Sequence, residues 1–373
     1  MIPFNKPVWL GSEAQRVHEA IAVNGHLAGG GPFGKRCEEL LEPVIGRRAL
    51  LVGSCTHALE MSAILLAIGP GDEVILPSFT FVSTANAFAL RGARLRFADV
   101  DAHGNIDPGN VAGLLGRRTR AVVAVHYGGH SCDLDALAEV RRDVPLVEDA
   151  AQALGARFRD RPLGSFGACS AFSFHETKNV GCGEGGALTV CNDSLLERAE
   201  YLRDKGTNRR KFLSGLVDKY TWVDIGSSYV LSDLNAAYLH DQLVARERIQ
   251  SRRREVHERY RAALAPAVER SGAYLVHGRP ENTENQHLFA IVFRRSSQRD
   301  AYIAHMRAHE IVTPFHYVAL HLSPMGRQHA DERPLPMAER LTTNLVRLPL
   351  FFNISDAEVE QVIDRTLEFL DAL

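Results

Sequence analysis

A helix start, an aromatic pair, a carboxylate and a lysine follow successive β-rich runs in this chain, and together they suggest a site. The segment PLVEDAAQALG closes an apolar run in Glu148 and Asp149, then turns through small residues. In open α/β sheets ligands sit beyond the carboxyl ends of strands, so an acid there can touch a cofactor. It can equally cap the next helix. The segment SFHETKNVGCGEGGAL sets Lys178 between the β-rich CSAFSFH and a run of glycines. Most lysines are solvated surface charges. One held in a pocket near other cations loses proton affinity and becomes a nucleophile toward carbonyls. Ser173 can offer a hydroxyl to an anion.

In LLVGSCTHALEMSAILLAIG, Ser54, Cys55 and Thr56 open a long helix directly after a strand. Free N–H groups and the helix dipole make such a start a phosphate site, and an ordinary Ser/Thr cap looks the same. In LPSFTFVSTANAF, Phe79 and Phe81 lie just past a strand end, where an aromatic can cover a planar ring or join the core. Each signal alone is weak. In sequence order they make a phosphate cradle, an aromatic, an acid and a lysine, which is a site for a planar phosphorylated cofactor that forms an imine.

The elements that must position these residues are legible as alternating patterns. Strands are expected at Ala49–Gly53, Glu73–Pro77, Arg94–Val100, Ala121–His126, Pro145–Asp149, Ser170–His175 and Ala187–Val190. Runs such as AVVAV are apolar throughout, as in strands covered on both faces of a mostly parallel sheet. Helical stretches between them predict an α/β, doubly wound domain. A single long helix is expected from Leu231 to Ala265, apolar in its first half and charged in its second. The remainder holds a strand (HLFAIVFRR), a helix (RDAYIAHMRAHE) and a terminal helix (DAEVEQVIDRTLEFLDAL). The reading is a large domain over 1–240 and a small α+β domain over 241–373. The stretch HLSPMGRQHADERPLP is expected to be either an active-site loop or a disordered surface loop.

Bulk properties narrow the function classes. The chain has 373 residues, more than one core usually holds. A formal net charge of −2 gives no field for nucleic acid or acidic membrane. The opening MIPFNKPVWL lacks the features of a secretory signal, and no apolar run approaches the roughly 20 residues that span a bilayer. Cys37, Cys55, Cys132, Cys169, Cys182 and Cys191 form no CxxC pair, which favours reduced thiols, a cytoplasmic location and no metal site.

These motifs resemble the DegT/DnrJ/StrS sugar aminotransferases of fold-type I. The resemblance runs through IPFNKP, GGPFGKRCEEL, GSCTHALE, PSFTFVSTANA, FADVD, VHYGG, VEDAAQALGA, SFHETKN, GEGGAL and RLPLFFN, nearly the whole chain. KGTNRRKF followed by VDKYTWVDIGSSYVLSD is most similar to the branch that aminates dTDP-4-keto-6-deoxy-glucose. The resemblance implies pyridoxal 5'-phosphate as cofactor, held as a Schiff base on Lys178. It implies that Asp149 pairs with the pyridine nitrogen, Gln152 contacts the ring hydroxyl and Phe81 stacks on the ring. The Cys55 and Thr56 backbone and the Ser173 hydroxyl would hold the phosphate. In much of the family a G-x-N-x-R segment sends its Asn to the phosphate of a dimer partner. Here the stretch is Gly226-Ser227-Ser228-Tyr229-Val230, without the Asn or the Arg, leaving Ser228 as a shorter donor.

The implied substrates are an amino-acid donor, L-glutamate, and a nucleotide-linked keto-sugar aminated at C4, within a homodimer that shares its sites. Arg209, Arg210, Lys211 and Lys219 form a basic region that could clamp a pyrophosphate or simply face solvent. A transaminase acting at C3 would share the same residues. A sugar-dehydrating branch with His in place of the lysine, and a non-enzymatic regulator on this fold, are disfavoured by Lys178 and Asp149.

Overall fold

The computed structural model describes residues 1–280 and 282–373. Its centre is a seven-stranded sheet of β1 (Ala49–Val52), β2 (Glu73–Pro77), β3 (Arg94–Ala98), β4 (Thr119–Val125), β5 (Leu146–Asp149), β6 (Cys169–Ser173) and β7 (Gly186–Val190). The spatial order is β1-β7-β6-β5-β4-β2-β3. β7 runs antiparallel to both neighbours, and the remaining pairings are parallel. All seven expected strands form, with ends that differ by one or two residues: β4 begins at Thr119 and β6 stops at Ser173. β5, β6 and β7 are buried at every position, which is why their sequences are apolar without alternation.

Helices cover both faces. Among them are α1 (Pro32–Ile45), α2 (Cys55–Leu65) and α3 (Val82–Ala89), the last two each beginning beyond a parallel strand. The Asp233 carboxylate accepts the Gly34 N–H at 2.8 Å, satisfying an end group of α1 that has no partner within its own helix.

The long helix expected from Leu231 to Ala265 is two helices. α4 spans Asp233–Val244 and α5 spans Arg246–Arg270, with Ala245 between them at φ −87° and ψ 8°, outside helical geometry. The apolar face also changes core, though only inside α5, since Ile249 still buries with the large-sheet cluster. Ala236, Ala237 and Leu239 bury against the large sheet, whereas Val256, Tyr260 and Leu264 bury in a separate apolar cluster. α5 packs with α6 (Asp356–Asp371) beside a three-stranded antiparallel sheet of β8 (Tyr274–Leu275), β9 (Ala290–Val292) and β10 (Leu345–Arg347).

The stretch HLSPMGRQHADERPLP is neither loop expected from its sequence. It is folded into short turns and anchored to the large sheet: His321 Nδ1 lies 2.6 Å from Ser78 Oγ, and Arg333 donates to the Phe97 carbonyl at 3.1 Å. It does not line the main cavity.

Several histidines are buried in places that disfavour their charged form. Burial pushes His257 of α5 down to about 4, against a weaker opposing pull from Glu284. The unfolded chain takes this proton near pH 6.5, so the native state keeps its full stability above that pH and loses it as pH falls from 6.5 toward 4. The loss is about 1.4 kcal/mol per pH unit for one such group. Melting temperatures should therefore fall between pH 7 and pH 5, and His257→Gln should flatten that slope. An unchanged slope in the variant would show that His257 does not contribute.

Candidate active site

The site is built at the carboxyl ends of the parallel strands, where β5 delivers its acids. Consecutive strand residues face opposite sides of a sheet, and Glu148 and Asp149 accordingly do different things. Glu148 is fully buried and accepts the N–H groups of Gly164, Phe166 and Gly167 at 2.6–2.8 Å, besides bonding His126 Nε2 at 3.0 Å. Burial alone would raise its pKa, but His126 and these amides hold it below the usual range. It locks the loop before β6. Asp149 faces the cavity. Thr84 donates to its Oδ2 at 2.7 Å and the Ala151 N–H to its Oδ1 at 3.2 Å. Burial outweighs these donors and Lys178, so its pKa is raised.

Lys178 lies beyond β6, in the turn before the glycine run. Burial pushes its ammonium pKa down, aided by Arg347 and opposed by Cys55 and Asp149. Its neighbour Asn179 ties the turn to the chain beyond β8: its Nδ2 donates to the Asn285 carbonyl at 2.7 Å, and its Oδ1 lies 2.9 Å from His287 Nδ1.

The start of α2 is an N-cap and more. The Ser54 hydroxyl accepts the His57 N–H at 3.1 Å. That leaves the Cys55 and Thr56 N–H groups without an acceptor among the described residues, and both residues line the cavity. Gly186 of β7 passes directly beneath: a Cβ there would lie 2.5 Å from the Cys55 nitrogen. Only glycine permits that approach. Ser173, at the end of β6, also lines the cavity.

The two phenylalanines separate. Phe79 is fully buried, edge-on to Tyr127 and Tyr317, and belongs to the core. Phe81, just before α3, is 55% exposed and lines the cavity. Gln152 is held at both ends, accepting the Gly128 N–H at 2.7 Å and donating to Tyr317 Oη at 2.9 Å.

These residues line one cavity of about 570 Å³. It holds a buried acid that forms no ion pair among the described residues, two free amides at a helix start, hydroxyls, an exposed aromatic and a half-buried lysine. Each matches one part of pyridoxal phosphate: a ring nitrogen, a phosphate, a flat ring and an aldehyde. The site therefore fits that cofactor. Comparison with known proteins supplies the decisive match: the profile of the DegT/DnrJ/EryC1/StrS aminotransferases covers residues 10–366. The chain belongs to that family.

This aminotransferase is 35% identical to TlmJ of Streptoalloteichus hindustanus, with a TM-score of 0.91 over 100% of this chain and 99% of that one. It is 31% identical to S. venezuelae DesV, solved with a ketimine intermediate, with a TM-score of 0.90 over 100% and 99% of the two chains. It also shares 30% identity with the uncharacterized protein MJ1066 of Methanocaldococcus jannaschii, across 90% of this chain and 89% of that one. The fold is that of the fold-type I aminotransferases, the enzyme is a sugar aminotransferase, and its cofactor is pyridoxal phosphate.

The structure does not gather every candidate residue. Ser228 is exposed, pairs with Asp204 in an isolated bridge and does not line the cavity of its own chain. Arg209, Arg210 and Lys211 also stand outside it, 3.7 Å or less from Asp204, Glu200 and Glu197 respectively. Lys219 is exposed. Sequence reasoning missed several residues that do line the cavity: Phe4, Asn5, His287, His316, Tyr317 and Arg347. His316 stacks on Tyr317 with ring centroids 3.7 Å apart, and its Nδ1 lies 2.7 Å from Tyr127 Oη. Among the described residues, no helix is long and apolar enough to cross a membrane.

Proposed function

We propose that the enzyme transfers an amino group from L-glutamate to C4 of a dTDP-linked 4-keto-6-deoxy-hexose, giving a dTDP-4-amino-4,6-dideoxy sugar. The aminotransferase half of this reading rests on the cavity that Asp149, Lys178 and the free amides of Cys55 and Thr56 share. The C4 assignment rests on one observation, the stretch from KGTNRRKF to GSSYVLSD, which resembles the branch acting on that sugar.

Pyridoxal phosphate, when bound, supplies an electron sink for a carbanion next to nitrogen. The chain's residues would do the rest. Lys178 would hold the aldehyde carbon covalently, then, once displaced by the incoming amine, carry a proton away from the donor's α-carbon. Burial of its ammonium favours the neutral amine that such a base needs. Asp149 would keep the ring nitrogen protonated through a charge-assisted bond. Gln152, already anchored at its far end by the Gly128 amide, would orient the ring hydroxyl. Phe81 would cover the ring, and Cys55, Thr56 and Ser173 would take the phosphate.

The reading includes a homodimer. Residues 205–228 leave the large sheet as an excursion held at its neck by Asn208, which bonds both Thr221 and Lys219. Its outer part exposes Leu216 (72%) and Trp222 (77%), with Phe212, Leu213 and Ile225 beside them. Exposed apolar side chains in such a cluster mark an association surface. A second copy seated there would bring Ser228, Arg209 and Lys219 toward its own cavity, where they would meet phosphate groups.

Product analysis tests the substrate. Purified enzyme with L-glutamate should aminate a dTDP-4-keto-6-deoxy-hexose at least tenfold faster than its 3-keto isomer, and should not process the free sugar. Faster turnover of the 3-keto isomer would replace C4 by C3 in this reading.

A further inference from the structure

The turn that carries Lys178 is folded largely on itself. The Lys178 N–H donates to the His175 carbonyl and the Glu176 N–H to the Gly183 carbonyl, each at 2.9 Å. Its seat on the rest of the molecule falls to the next side chain, Asn179, which is buried. Asn179 meets the chain approaching β9 at two points, the Asn285 carbonyl and the His287 ring.

Those two points are held in a strained conformation. Gln286, between them, has φ +46°, in the left-handed region that is unfavourable for any residue but glycine. The buried guanidinium of Arg253 holds it there, donating to the carbonyls of Gln286 at 3.1 Å and His287 at 2.6 Å. Gln250 adds a bond from its Nε2 to Gln286 Oε1 at 2.7 Å. The same clip reaches the other side of the site. Asn285 Nδ2 donates to the main-chain carbonyls of Gln152 at 2.8 Å and Leu154 at 3.1 Å. A segment strained and over-determined in this way belongs with a function.

Hydrogen bonding fixes the tautomer of His287. Asn179 Nδ2 donates to the Asn285 carbonyl at 2.7 Å, so Oδ1 is the end that lies 2.9 Å from His287 Nδ1. An amide oxygen only accepts, so Nδ1 carries the hydrogen. Burial pushes the ring's pKa well below the ordinary histidine value, aided by the charges of Lys178 and Arg253, and the ring stays neutral. We propose that His287 is a positioning residue for Lys178, acting through the Asn179 amide. This rests on the aminotransferase reading given above. Lys178 must release the aldehyde carbon and then take a proton from a neighbouring carbon, so its side chain swings while its main chain stays still. A displacement of about 1 Å at such a step costs on the order of a hundredfold in rate.

Three replacements separate the roles of His287. His287→Asn puts an amide nitrogen where Nδ1 lies, His287→Gln puts one near Nε2, and His287→Phe offers neither. In the cofactor-loaded enzyme His287→Phe should lower kcat with L-glutamate by on the order of ten- to a hundredfold, with KM little changed. His287→Asn should recover most of that loss and His287→Gln should not. Asn179→Ala should match His287→Phe, and the double variant should be no slower than either, as two residues acting as one unit require. The apo-protein gives a reading that needs no turnover. With the tie broken the lysine gains water, so amine-directed labelling of Lys178 should begin at higher pH in His287→Phe than in the wild type. It should return to the wild-type profile in His287→Asn.

Recovery by His287→Gln in place of His287→Asn would make His287 a ligand contact through Nε2 and overturn the proposal. So would additive losses in the double variant. So would a lower melting temperature with kcat per folded molecule and the labelling profile unchanged. Should His287→Phe not fold, the comparison of His287→Asn with His287→Gln stands on its own. If the wild type transfers nitrogen from no amine, the aminotransferase reading itself fails, while the labelling profile still decides whether His287 positions the lysine.

Discussion

Lys178→Ala is expected to abolish both turnover and the covalent attachment of the cofactor. In the wild type, borohydride should fix the cofactor to a single peptide, the one carrying SFHETKN. In the variant no peptide should be labelled. Two functions are lost together: the amine that binds the aldehyde carbon and the base that moves the α-proton. A positioned base alone contributes on the order of a hundred- to ten-thousandfold. The substitution should not unfold the protein, because burial of the ammonium works against the native state, and the turn is fixed by Asn179 rather than by Lys178. Lys178→Arg separates charge from chemistry. It keeps a cation near Asp149 but offers no amine that deprotonates near neutral pH, and it should be as inactive as the alanine variant. Labelling of another lysine, or activity within tenfold of wild type in either variant, would remove Lys178 from the mechanism.

The sequence made this lysine legible because its surroundings are local. A strand, a turn and a glycine run adjoin one another, and so do β5 with Asp149 and β1 with the start of α2. Apolar runs without alternation located strands buried on both faces, such as β4, whereas β3 (RLRFA) alternates and stood out by its position between helical stretches. What stayed hidden depends on distant chain segments meeting. Arg347 opens the motif RLPLFFN, but it ends a three-residue strand of the small sheet, and no local pattern tells that it lines the cavity. Tyr317 acquires its role by packing edge-on against Phe79 and tilted against Phe81, far away in sequence, and His316 by stacking on Tyr317. Phe4 reaches the cavity from an N-terminal segment that the bridge between Ile2 and Ile311 ties down. The division of α4 from α5 was equally out of reach. Helical periodicity continues across Ala245, and nothing in the local sequence marks the break there. The fate of Phe79 was open for a related reason, as two aromatics two residues apart look alike until one of them is enclosed.

Asp149→Asn is expected to lower turnover by on the order of a hundredfold or more while leaving the apo-protein at least as stable as the wild type. The first effect follows from charge. A carboxylamide cannot keep a positive ring nitrogen in place, and removal of a single preorganised electrostatic partner commonly costs that much in rate. The second follows from linkage. Burial raises the Asp149 pKa above its usual value despite Thr84, Ala151 and Lys178. Below the unfolded-state pKa both forms are protonated and no difference arises. As pH rises through the folded-state pKa, the native state must carry a desolvated charge, so the apo-protein is destabilised at neutral pH. The amide removes that penalty. Its oxygen can still accept the Ala151 N–H, and the Thr84 hydroxyl can turn to accept from the new NH2, because Thr80 lies 2.9 Å from it and can exchange donor for acceptor. Loss of the carboxylate should also shift Lys178 further toward its neutral form, since Asp149 is among the groups that hold its proton. Amine-directed labelling of Lys178 in the apo-protein should therefore begin at lower pH in Asp149→Asn. Thermal melts, that labelling profile and the turnover number together decide the role. A melting temperature well below wild type with proportionate loss of activity would make Asp149 a residue of the fold. A stable protein whose lysine labels earlier and whose turnover has collapsed would leave the carboxylate's charge as its contribution.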